Sequence, residues 1–387
     1  MAGAFSARLV GSAAEIGAAA WNGCANPAAA ADPHPFTRHE FFAALEDSGS
    51  ATARTGWRPC HLMVERNGAV EGLLPLYLKN HSQGEYVFDH SWADALERAG
   101  GSYYPKLQAS VPFTPVTGKR FLVAACADVD ETRAALITAG ASAVRELHAS
   151  SLHVTFLTEE EWIAAGEAGY LLRTDQQFHW ENRGYASFDE FLAELSSSKR
   201  KNLRKERAAV REAGIEFDWL TGSDLTEDAW DKFFEFYMDT GGRKWGHPYL
   251  TRRFFSLIGD SMADQILLII ARRGTKAIAG ALNFFGDGTV FGRNWGCTEY
   301  VPFLHFEACY YQAIDFAIAR GLKKVEAGAQ GEHKLLRGYM PTPTYSAHYI
   351  AHAGLRRAVS DYLDRERDAV AEHIEDLAEQ APFRKEG

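Results

Sequence analysis

Two stretches of this chain share one pattern, and that pattern decides the fold. Residues 61–92 read HLMVERNGAVEGLLPLYLKNHSQGEYVFDHSW, and residues 267–295 read LLIIARRGTKAIAGALNFFGDGTVFGRNW. Each predicts an apolar strand, a charged turn, a small-residue strand, a second turn and an aromatic strand that ends at tryptophan. The matching landmarks are Gly68 and Gly274, Gly72 and Gly280, Gly84 and Gly288, and Trp92 and Trp295. Two such meanders in the same order predict a duplicated α/β module.

Amphipathic segments around the meanders predict helices, so we expect an α/β protein with mixed sheets. Helical spacing of apolar residues is found at 36–45, 187–195, 226–237 and 305–319. We expect an N-terminal module over residues 1–174, a second over 175–354 and a C-terminal amphipathic helix over 355–387. The apolar stripe of that last helix predicts packing on the body, and a dimer contact or a membrane surface is the alternative.

Bulk composition predicts an ordinary globular protein. The 387 residues carry a net charge of −10, which argues against a DNA-binding surface. Five cysteines without C-x-x-C spacing fit a reducing compartment and argue against zinc. The N-terminus lacks a basic region, and no segment approaches the roughly 18 apolar residues of a membrane span. We therefore expect a cytoplasmic protein, at most bound to the inner face of a membrane.

Residues 322–339, LKKVEAGAQGEHKLLRGY, hold the richest cluster of reactive side chains. They predict a short strand over 324–327, a turn with Gly328 and Gly331, and then a helix. The turn collects Glu326, Gln330, Glu332, His333, Lys334 and Arg337. Glycine at such a turn allows close backbone approach, and a helix start presents N–H groups to an anion. An acid–base site is one interpretation, and charges that only solvate a helix start are the other.

Two aromatic segments predict the walls of a pocket. Arg293 and Trp295 end the second meander in the sequence RNWG. Residues 103–118 of the first half, YYPKLQASVPFTPVTG, place Tyr103, Tyr104 and Lys106 before a proline-rich turn. A ligand pocket and a rigid surface loop fit that turn equally well.

A dense run of cations lies in residues 196–212, SSSKRKNLRKERAAVRE. Its first turns contain Lys199, Arg200, Lys201, Arg204 and Lys205. Such a face suits a phosphate-bearing ligand, RNA or anionic lipid headgroups. A solvated helical face balanced by Glu206 and Glu212 is the alternative.

Several common chemistries lack their motifs in this sequence. The 14 histidines show no H-E-x-x-H or paired ligand spacing, so we expect no metal. G-x-S-x-G, G-x-x-x-x-G-K-[ST] and G-x-G-x-x-G are also absent. Hydrolase, P-loop and dinucleotide-binding functions therefore lose their main support.

Taken together, segments over about residues 35–355 resemble the FemAB-like family of peptidoglycan biosynthesis or recognition, within the GNAT (Gcn5-related N-acyltransferase) superfamily. The segments that carry the resemblance are TGWRPCHLMVE, YLKNHSQGEYVFDHSWADA, YYPKLQASVPFTPVTG, SSLHVTF, QFHWENRGYASFDEFL, SSKRKNLRKER, WGHPYLTRRFF, VPFLHFEACYYQAI and EAGAQGEHKLLRGY. The resemblance implies a tandem pair of GNAT-like modules. Fem-type relatives transfer an amino acid from aminoacyl-tRNA to an amine of a cell-wall precursor, and other GNAT enzymes transfer acyl groups from thioesters.

The resemblance thus implies an N-acyltransferase that acts on a small-molecule or lipid-linked amine of the cell envelope. It implies an acyl donor as co-substrate (aminoacyl-tRNA, or a coenzyme A or carrier thioester), no tightly bound cofactor, and a tRNA or acyl carrier as partner. Peripheral contact with a membrane is also consistent with it. The alternative is a non-catalytic module of the same fold that recognises cell-wall or lipid fragments.

Residue roles follow from the same resemblance. Glu326 or His333 would be the general base. The groups that contact substrate would be Lys334, Arg337, Gln330, Glu332, Arg293, Trp295, Tyr103, Tyr104 and Lys106, and the Lys199–Lys205 face would meet phosphate. One departure concerns the junction CTEYVPFLHFEA, residues 297–308, which lacks the Q/R-x-x-G-x-G/A pyrophosphate loop of coenzyme A users. This departure argues against a small acyl-coenzyme A donor.

Overall fold

The computed structural model of the chain describes residues 3–26, 32–244, 248–328 and 331–384. Contacts group the chain into two compact units. Unit 1 is Met1–Asp175 with Pro343–Glu372, and unit 2 is Gln176–Thr342 with His373–Gly387. Each unit combines helices with parallel and antiparallel strand pairs, so the predicted α/β class with mixed sheets is confirmed. The domain division at residues 174 and 354 stays a prediction.

The strands in chain order are β1 (Ser6–Val10), β2 (Trp57–Pro59), β3 (His61–Arg66), β4 (Ala69–Leu74), β5 (Tyr77–Lys79), β6 (Lys106–Ala109), β7 (Leu122–Val123), β8 (Ser151–Leu157), β9 (Leu171–Glu181), β10 (Ile215–Leu220), β11 (Ile266–Arg273), β12 (Lys276–Gly286), β13 (Thr289–Cys297), β14 (Lys324–Glu326) and β15 (Met340–Ile350).

The helices are α1 (Ala13–Ile16), α2 (Ala18–Ala25), α3 (His39–Asp47), α4 (His90–Arg98), α5 (Val129–Glu146), α6 (Glu159–Glu167), α7 (Phe188–Glu194), α8 (Ser197–Glu212), α9 (Glu227–Lys244), α10 (Arg252–Met262), α11 (Leu304–Phe306), α12 (Gln312–Ala319) and α13 (Ala353–Glu379). No helix of the described part of the chain is long and apolar enough to cross a membrane.

Unit 1 contains an antiparallel sheet in the order β1–β3–β4–β7 and a second group of strands in the order β15–β8–β6–β5–β2. Helix α5 packs on the first sheet, where its Leu136 and Ile137 join Leu62 and Leu74 in one buried cluster. Asp128 caps the start of α5 by accepting a hydrogen bond from the backbone of Glu131. This packing fixes the predicted β3–β4 hairpin.

The first meander ends differently from the prediction. Asn67 and Gly68 turn β3 into β4 with positive φ at both residues, as an Asn-Gly hairpin requires. The predicted third strand is wrong, because residues 80–89 form no strand and Trp92 lies in helix α4. Trp92 and Leu96 lie four residues apart, so the helix buries both on one face. The aromatic residues therefore follow the period of a helix and not that of a strand.

Unit 2 contains the second meander as predicted. Its sheet has the order β10–β11–β12–β13–β14–β9, in which only β13 and β14 are parallel. Asp287 and Gly288 form the β12–β13 turn, again with positive φ at both residues. Helix α9 lies directly on β13, since a Cβ atom at Gly296 would be 2.0 Å from the carbonyl oxygen of Phe236. Glycine is therefore required at this close approach.

Strands β13 and β14 separate soon after they meet. They pair only from Thr289 with Lys324 to Phe291 with Glu326, while β13 continues to Cys297. Strand β14 ends at Glu326, and the predicted helix after the turn is a 3-10 helix over Glu332–Arg337. Gly338, with φ of 86°, ends that helix after six residues. Beyond Phe291, β13 therefore has no pairing with β14, and the segment that follows β14 carries the predicted site residues.

The predicted helix 305–319 is interrupted. Between α11 and α12 the residues Glu307–Tyr311 form a π-helical turn. Such turns insert one extra residue per turn and rotate the side chains that follow, often at functional sites. Here the π turn brings Tyr310 and Tyr311 towards the 3-10 helix.

Candidate functional site

Glu326 occupies the last position of β14, at the centre of a buried group of charges in unit 2. It pairs with Phe291 on one side and with His179 of β9 on the other, and only 1% of it is exposed. Nζ of Lys324 lies 2.7 Å from Oε1 of the carboxylate. Nη2 of Arg293 lies 3.8 Å from Oε2, and Nε2 of His179 lies 3.9 Å from Oε1.

These neighbours decide the charge of Glu326. Burial alone raises the pKa of a carboxyl, but His179, Lys324 and Arg293 act against it and the pKa of Glu326 ends below its ordinary value. Burial lowers the pKa of His179 to about 4 despite the nearby carboxylate, so that ring is neutral at pH 7. A carboxylate of lowered pKa is a weak base. Glu326 is therefore suited to hold cations in place.

A β-bulge places Arg293 beside this carboxylate. Along β12 and β13, Leu282 pairs with Asn294 and Asn283 pairs with Gly292, so Arg293 is the extra residue of the bulged strand. A bulge bends its strand and redirects the side chain. The Arg293 side chain is almost fully buried, and its Nη1 donates to the carbonyl of Gly292.

His333 is the accessible acid–base group of the site. Its ring is exposed, its Nε2 lies 2.9 Å from Oη of Tyr310, and it packs against Phe306 with 5.6 Å between ring centres. Partial burial, followed by the charges of Arg337 and Lys334, lowers the pKa of His333 below 6.5. The imidazole is therefore neutral at pH 7 and can accept a proton.

Lys334 follows directly and points inward. Its Nζ donates to the carbonyl of Gly328 over 2.8 Å, and 2% of the residue is exposed. Burial first, and then the charge of Arg293, lower the pKa of Lys334 to about 8. This ammonium remains mostly charged at neutral pH, in a site where charge is screened little.

Arg337 is held by protein groups. It donates from Nε to Oη of Tyr311, from Nη1 to the carbonyl of His333 and from Nη2 to Oε1 of Glu206. Its guanidinium lies 3.5 Å from the ring centre of Phe306. These bonds tie the 3-10 helix to α8 and fix the backbone of His333, so Arg337 has a positioning role here.

The other residues predicted for this turn are more peripheral. Glu332 is exposed, with its carboxylate 3.9 Å from Nε2 of His373. Trp295 packs its ring on His305, with 5.4 Å between ring centres. Gln330 lies outside the described residues. The structure thus brings Arg293, Glu326, His333, Lys334 and Arg337 together.

The three predicted residues of the first half belong to a separate cluster within unit 1. Lys106 is fully buried, and its Nζ lies 2.6 Å from Oε2 of Glu85 and 2.5 Å from Oδ2 of Asp89. The hydroxyl of Tyr103 donates to Asp89 over 2.7 Å. Tyr104 is half-buried, with its hydroxyl 2.8 Å from Oγ of Ser82. Tyr103 and Lys106 therefore lie inside the unit 1 core.

The predicted cationic residues lie on the first half of α8. Arg204 makes an exposed ion pair with Asp189 at 3.1 Å. Lys199, Arg200, Lys201 and Lys205 form no ion pair with any described residue. Lys199 and Arg200 stand in the first turn, where the helix dipole disfavours positive charge. The arrangement suits an external anion.

Metal binding has no support in the described residues, which contain no group of three or more His, Cys, Asp and Glu side chains able to hold an ion. Sequence reasoning missed Tyr310, His179, Lys324 and Glu206 as members of the site. His179 and Lys324 could be found only through strand pairing. The π turn determines where the Tyr310 side chain lies, and the sequence carries no known signal for such a turn.

Comparison with known proteins supports the fold. A family model described as FemAB-like, peptidoglycan biosynthesis/recognition, matches residues 12–385. The crystal structure of FemX is similar with a TM-score of 0.52 at 12% identity, over 86% of this chain and 96% of that one. L-PGS from Bacillus licheniformis is similar with a TM-score of 0.52 at 10% identity, over 86% and 98% of the two chains. No curated protein matches the chain significantly. Both structures share the mixed α/β fold of this chain.

Proposed function

We propose that this chain, which belongs to the FemAB-like family, is an N-acyltransferase that forms an amide on an amine of a cell-envelope or lipid precursor. The observation that carries the proposal is the accessible, neutral His333 held by Tyr310. It lies seven residues after the buried Glu326, in the segment that follows the separation of β13 and β14.

His333 is the general base of this proposal. An amine can attack a carbonyl only with its lone pair free, so its proton must be removed before or during bond formation. Glu326 is a weaker candidate, because it is buried and its pKa is lowered. Its proposed role is to neutralise Lys324 and Arg293 and to hold the bulge in place.

The open side of β13 offers a place for the acyl donor. Among the described residues, β14 covers β13 only as far as Phe291. Backbone N–H and C=O groups without a neighbouring strand bind extended ligands by strand addition. Lys334 adds positive potential for the oxyanion that forms on the attacked carbonyl.

The proposed reaction is balanced without a redox partner. The amine nitrogen forms a bond to the carbonyl carbon of the donor, and its proton passes to His333. The tetrahedral intermediate then breaks its C–O bond to tRNA or its C–S bond to a thiol. The leaving oxygen or sulfur takes the proton from His333, which regenerates the base.

The donor class stays open in this proposal. Aminoacyl-tRNA, acyl-coenzyme A and acyl carrier proteins all carry phosphate, and the cations Lys199, Arg200, Lys201 and Lys205 suit any of them. A tRNA or an acyl carrier is the proposed partner, with no tightly bound cofactor. Aminoacyl-tRNA and acyl thioesters are both used in the cytoplasm, so we place the reaction there. The inner face of the membrane would be the source of a lipid-linked acceptor.

The experiment combines purified protein with aminoacyl-tRNA or acyl thioesters and a panel of amine-bearing envelope and lipid precursors. Mass spectrometry then follows the amide product. We expect an amide with one donor class only, and its mass identifies the acyl group. Binding of donor and acceptor without any amide, at every pairing, would instead support a non-catalytic recognition module.

A further inference from the structure

An open groove of about 650 Å³ lies in unit 2 between α7, α8 and β10. Its volume falls within the roughly 300–1,000 Å³ of small-molecule sites. Its lining includes Leu192 of α7, Arg204, Ala208 and Arg211 of α8, and Ile215 and Phe217 of β10.

The groove has two chemically different sides. Arg204, Arg207 and Arg211 follow one another at spacings of three and four residues, so they form one stripe along α8. Facing this stripe are apolar side chains from α7 and β10, including Leu192 and Phe217. Such a surface fits a ligand that has an apolar body and a negative group.

The three arginines differ in how strongly the protein holds them. Arg207 is bound by Glu307 at 2.9 Å and Asp315 at 2.6 Å, so its charge is already neutralised. Arg204 has only the exposed pair with Asp189, a kind of contact worth little in water. Arg211 is exposed and pairs with no described residue. Arg204 and Arg211 are therefore the two groups that can receive an anion.

The groove also shares its walls with the proposed catalytic centre. Glu307 lines the groove and begins the π turn, and Tyr310 of the same turn contacts His333. Helix α8, which carries the arginine stripe, bonds Arg337 through Glu206.

We propose that this groove binds one molecule of an anionic amphiphile, with its apolar chain against Leu192, Ile215 and Phe217 and its phosphate on Arg204 and Arg211. Its identification as the lipid-linked acceptor rests on the proposed function. Binding itself does not, since it needs neither a donor nor His333.

The probe is dodecyl phosphate, used below its micelle-forming concentration and measured by isothermal titration calorimetry. We expect Arg204→Ala and Arg211→Ala each to weaken binding about tenfold, as the loss of a charge-assisted hydrogen bond does. Arg273→Ala, which removes an exposed arginine of unit 2 outside the groove, should bind as the unchanged protein does. Inorganic phosphate lacks the chain, and dodecyl maltoside carries the same chain on an uncharged head. Both should bind at least about tenfold more weakly.

A second pair of variants tests the groove without altering charge. Ala208→Trp fills the groove from the surface of α8 and should abolish binding, whereas Ala193→Trp makes the same change at an exposed site of α7 outside the groove. Circular dichroism checks that both variants fold. Equal binding by the two tryptophan variants would overturn the proposal. So would attachment to anionic vesicles without binding of monomeric dodecyl phosphate, since that result indicates a membrane-surface contact.

The two proposals can fail separately. Amide formation that needs His333 but is unchanged in Ala208→Trp supports the proposed function and shows that the groove ligand is not its acceptor. If dodecyl phosphate binds in a way that depends on Arg211 but no donor yields an amide, the binding groove is supported and the proposed acyltransferase function is contradicted.

Discussion

Oη of Tyr310 lies 2.9 Å from Nε2 of His333, so this hydrogen bond holds the imidazole through Nε2 rather than Nδ1. When Nε2 carries the proton and donates it to Tyr310, the lone pair is on Nδ1 and faces away from the hydroxyl. The π turn is what brings Tyr310 to this position. A helical irregularity thus positions the hydroxyl that orients the proposed base.

Tyr310→Phe tests this contact. Removal of the hydroxyl leaves the ring packed against Tyr339 but takes away the hydrogen bond that orients the imidazole. We expect the rate of amide formation to fall about tenfold, part of the roughly 10²–10⁴-fold contribution of a general base. Tyr300→Phe is the matched control, because Tyr300 is 90% exposed. Equal rates for the two variants would remove Tyr310 from the mechanism.

The pH profile reports the charge of His333. Since its pKa is below 6.5, the base stays neutral to lower pH than a free histidine, and kcat/KM should decline only below pH 6.5. Lys334→Met removes a positive charge that lowers this pKa, so the acid limb should move to higher pH. A limb that does not move, measured over pH 4.5–8 (about the range where histidine titrates), would show that another group carries the proton.

Glu326→Gln tests the buried carboxylate. The variant keeps the shape of the side chain but leaves Lys324 and Arg293 without their counter-charge. Breaking a buried ion pair costs roughly 3 kcal/mol, which urea unfolding at pH 7 can measure. Glu332→Gln, at an exposed site, should change the free energy of unfolding by less than about 0.5 kcal/mol.

The difference in stability between Glu326→Gln and the unchanged protein should depend on pH. The pKa of Glu326 is lower in the folded than in the unfolded chain, so its stabilisation is complete above pH 4.5 and is lost as pH falls through the folded pKa. The difference between Glu326→Gln and the unchanged protein should therefore shrink on acidification below pH 4.5. A difference that grows there would contradict the assigned charge.

Two buried histidines in unit 1 predict acid sensitivity. The Nδ1 atoms of His153 and His348 lie 2.8 Å apart, so one ring donates and the other accepts. Burial and the charge of Lys106 lower the pKa of His153 to about 3, although Asp89 acts in the opposite direction. Burial likewise lowers the pKa of His348 well below 6.5.

In the unfolded chain His153 and His348 take up protons as pH falls below 6.5, whereas in the folded chain they stay neutral there. The free energy of unfolding should therefore fall as pH drops below 6.5. The slope should approach about 1.4 kcal/mol per pH unit for each histidine. Urea titrations over this range should show a smaller slope for His348→Asn and an unchanged slope for His90→Ala, an exposed histidine. A slope unaffected by His348→Asn would mean that other groups cause the acid loss.

The sequence predicted most of unit 2 because local signals and tertiary contacts agree there. The Asp287–Gly288 turn and the apolar runs of β11–β13 suffice for the meander. In the first half they conflict. The residues before Trp92 look like a strand, yet Glu85 and Asp89 lie in a buried network with Lys106, a contact between segments far apart in the chain.

The candidate site was predicted in composition but not in arrangement. Glu326, His333, Lys334 and Arg337 stand close in the chain, so one turn suffices to group them. Their roles depend on partners distant in sequence. Glu206 neutralises Arg337, and His179 reaches Glu326 only because β9 pairs with β14. Spacing within one segment carries no information on either contact.

The most direct measurement of the central claim is amide formation in a single turnover by the unchanged protein and by His333→Ala. With the donor and acceptor found active, we expect the variant to react about 100-fold or more slowly while its Kd for the donor stays within about twofold, as loss of a general base predicts. His90→Ala, at an exposed site of unit 1, should react as the unchanged protein does. An amide formed by His333→Ala at the unchanged rate would contradict the proposed mechanism.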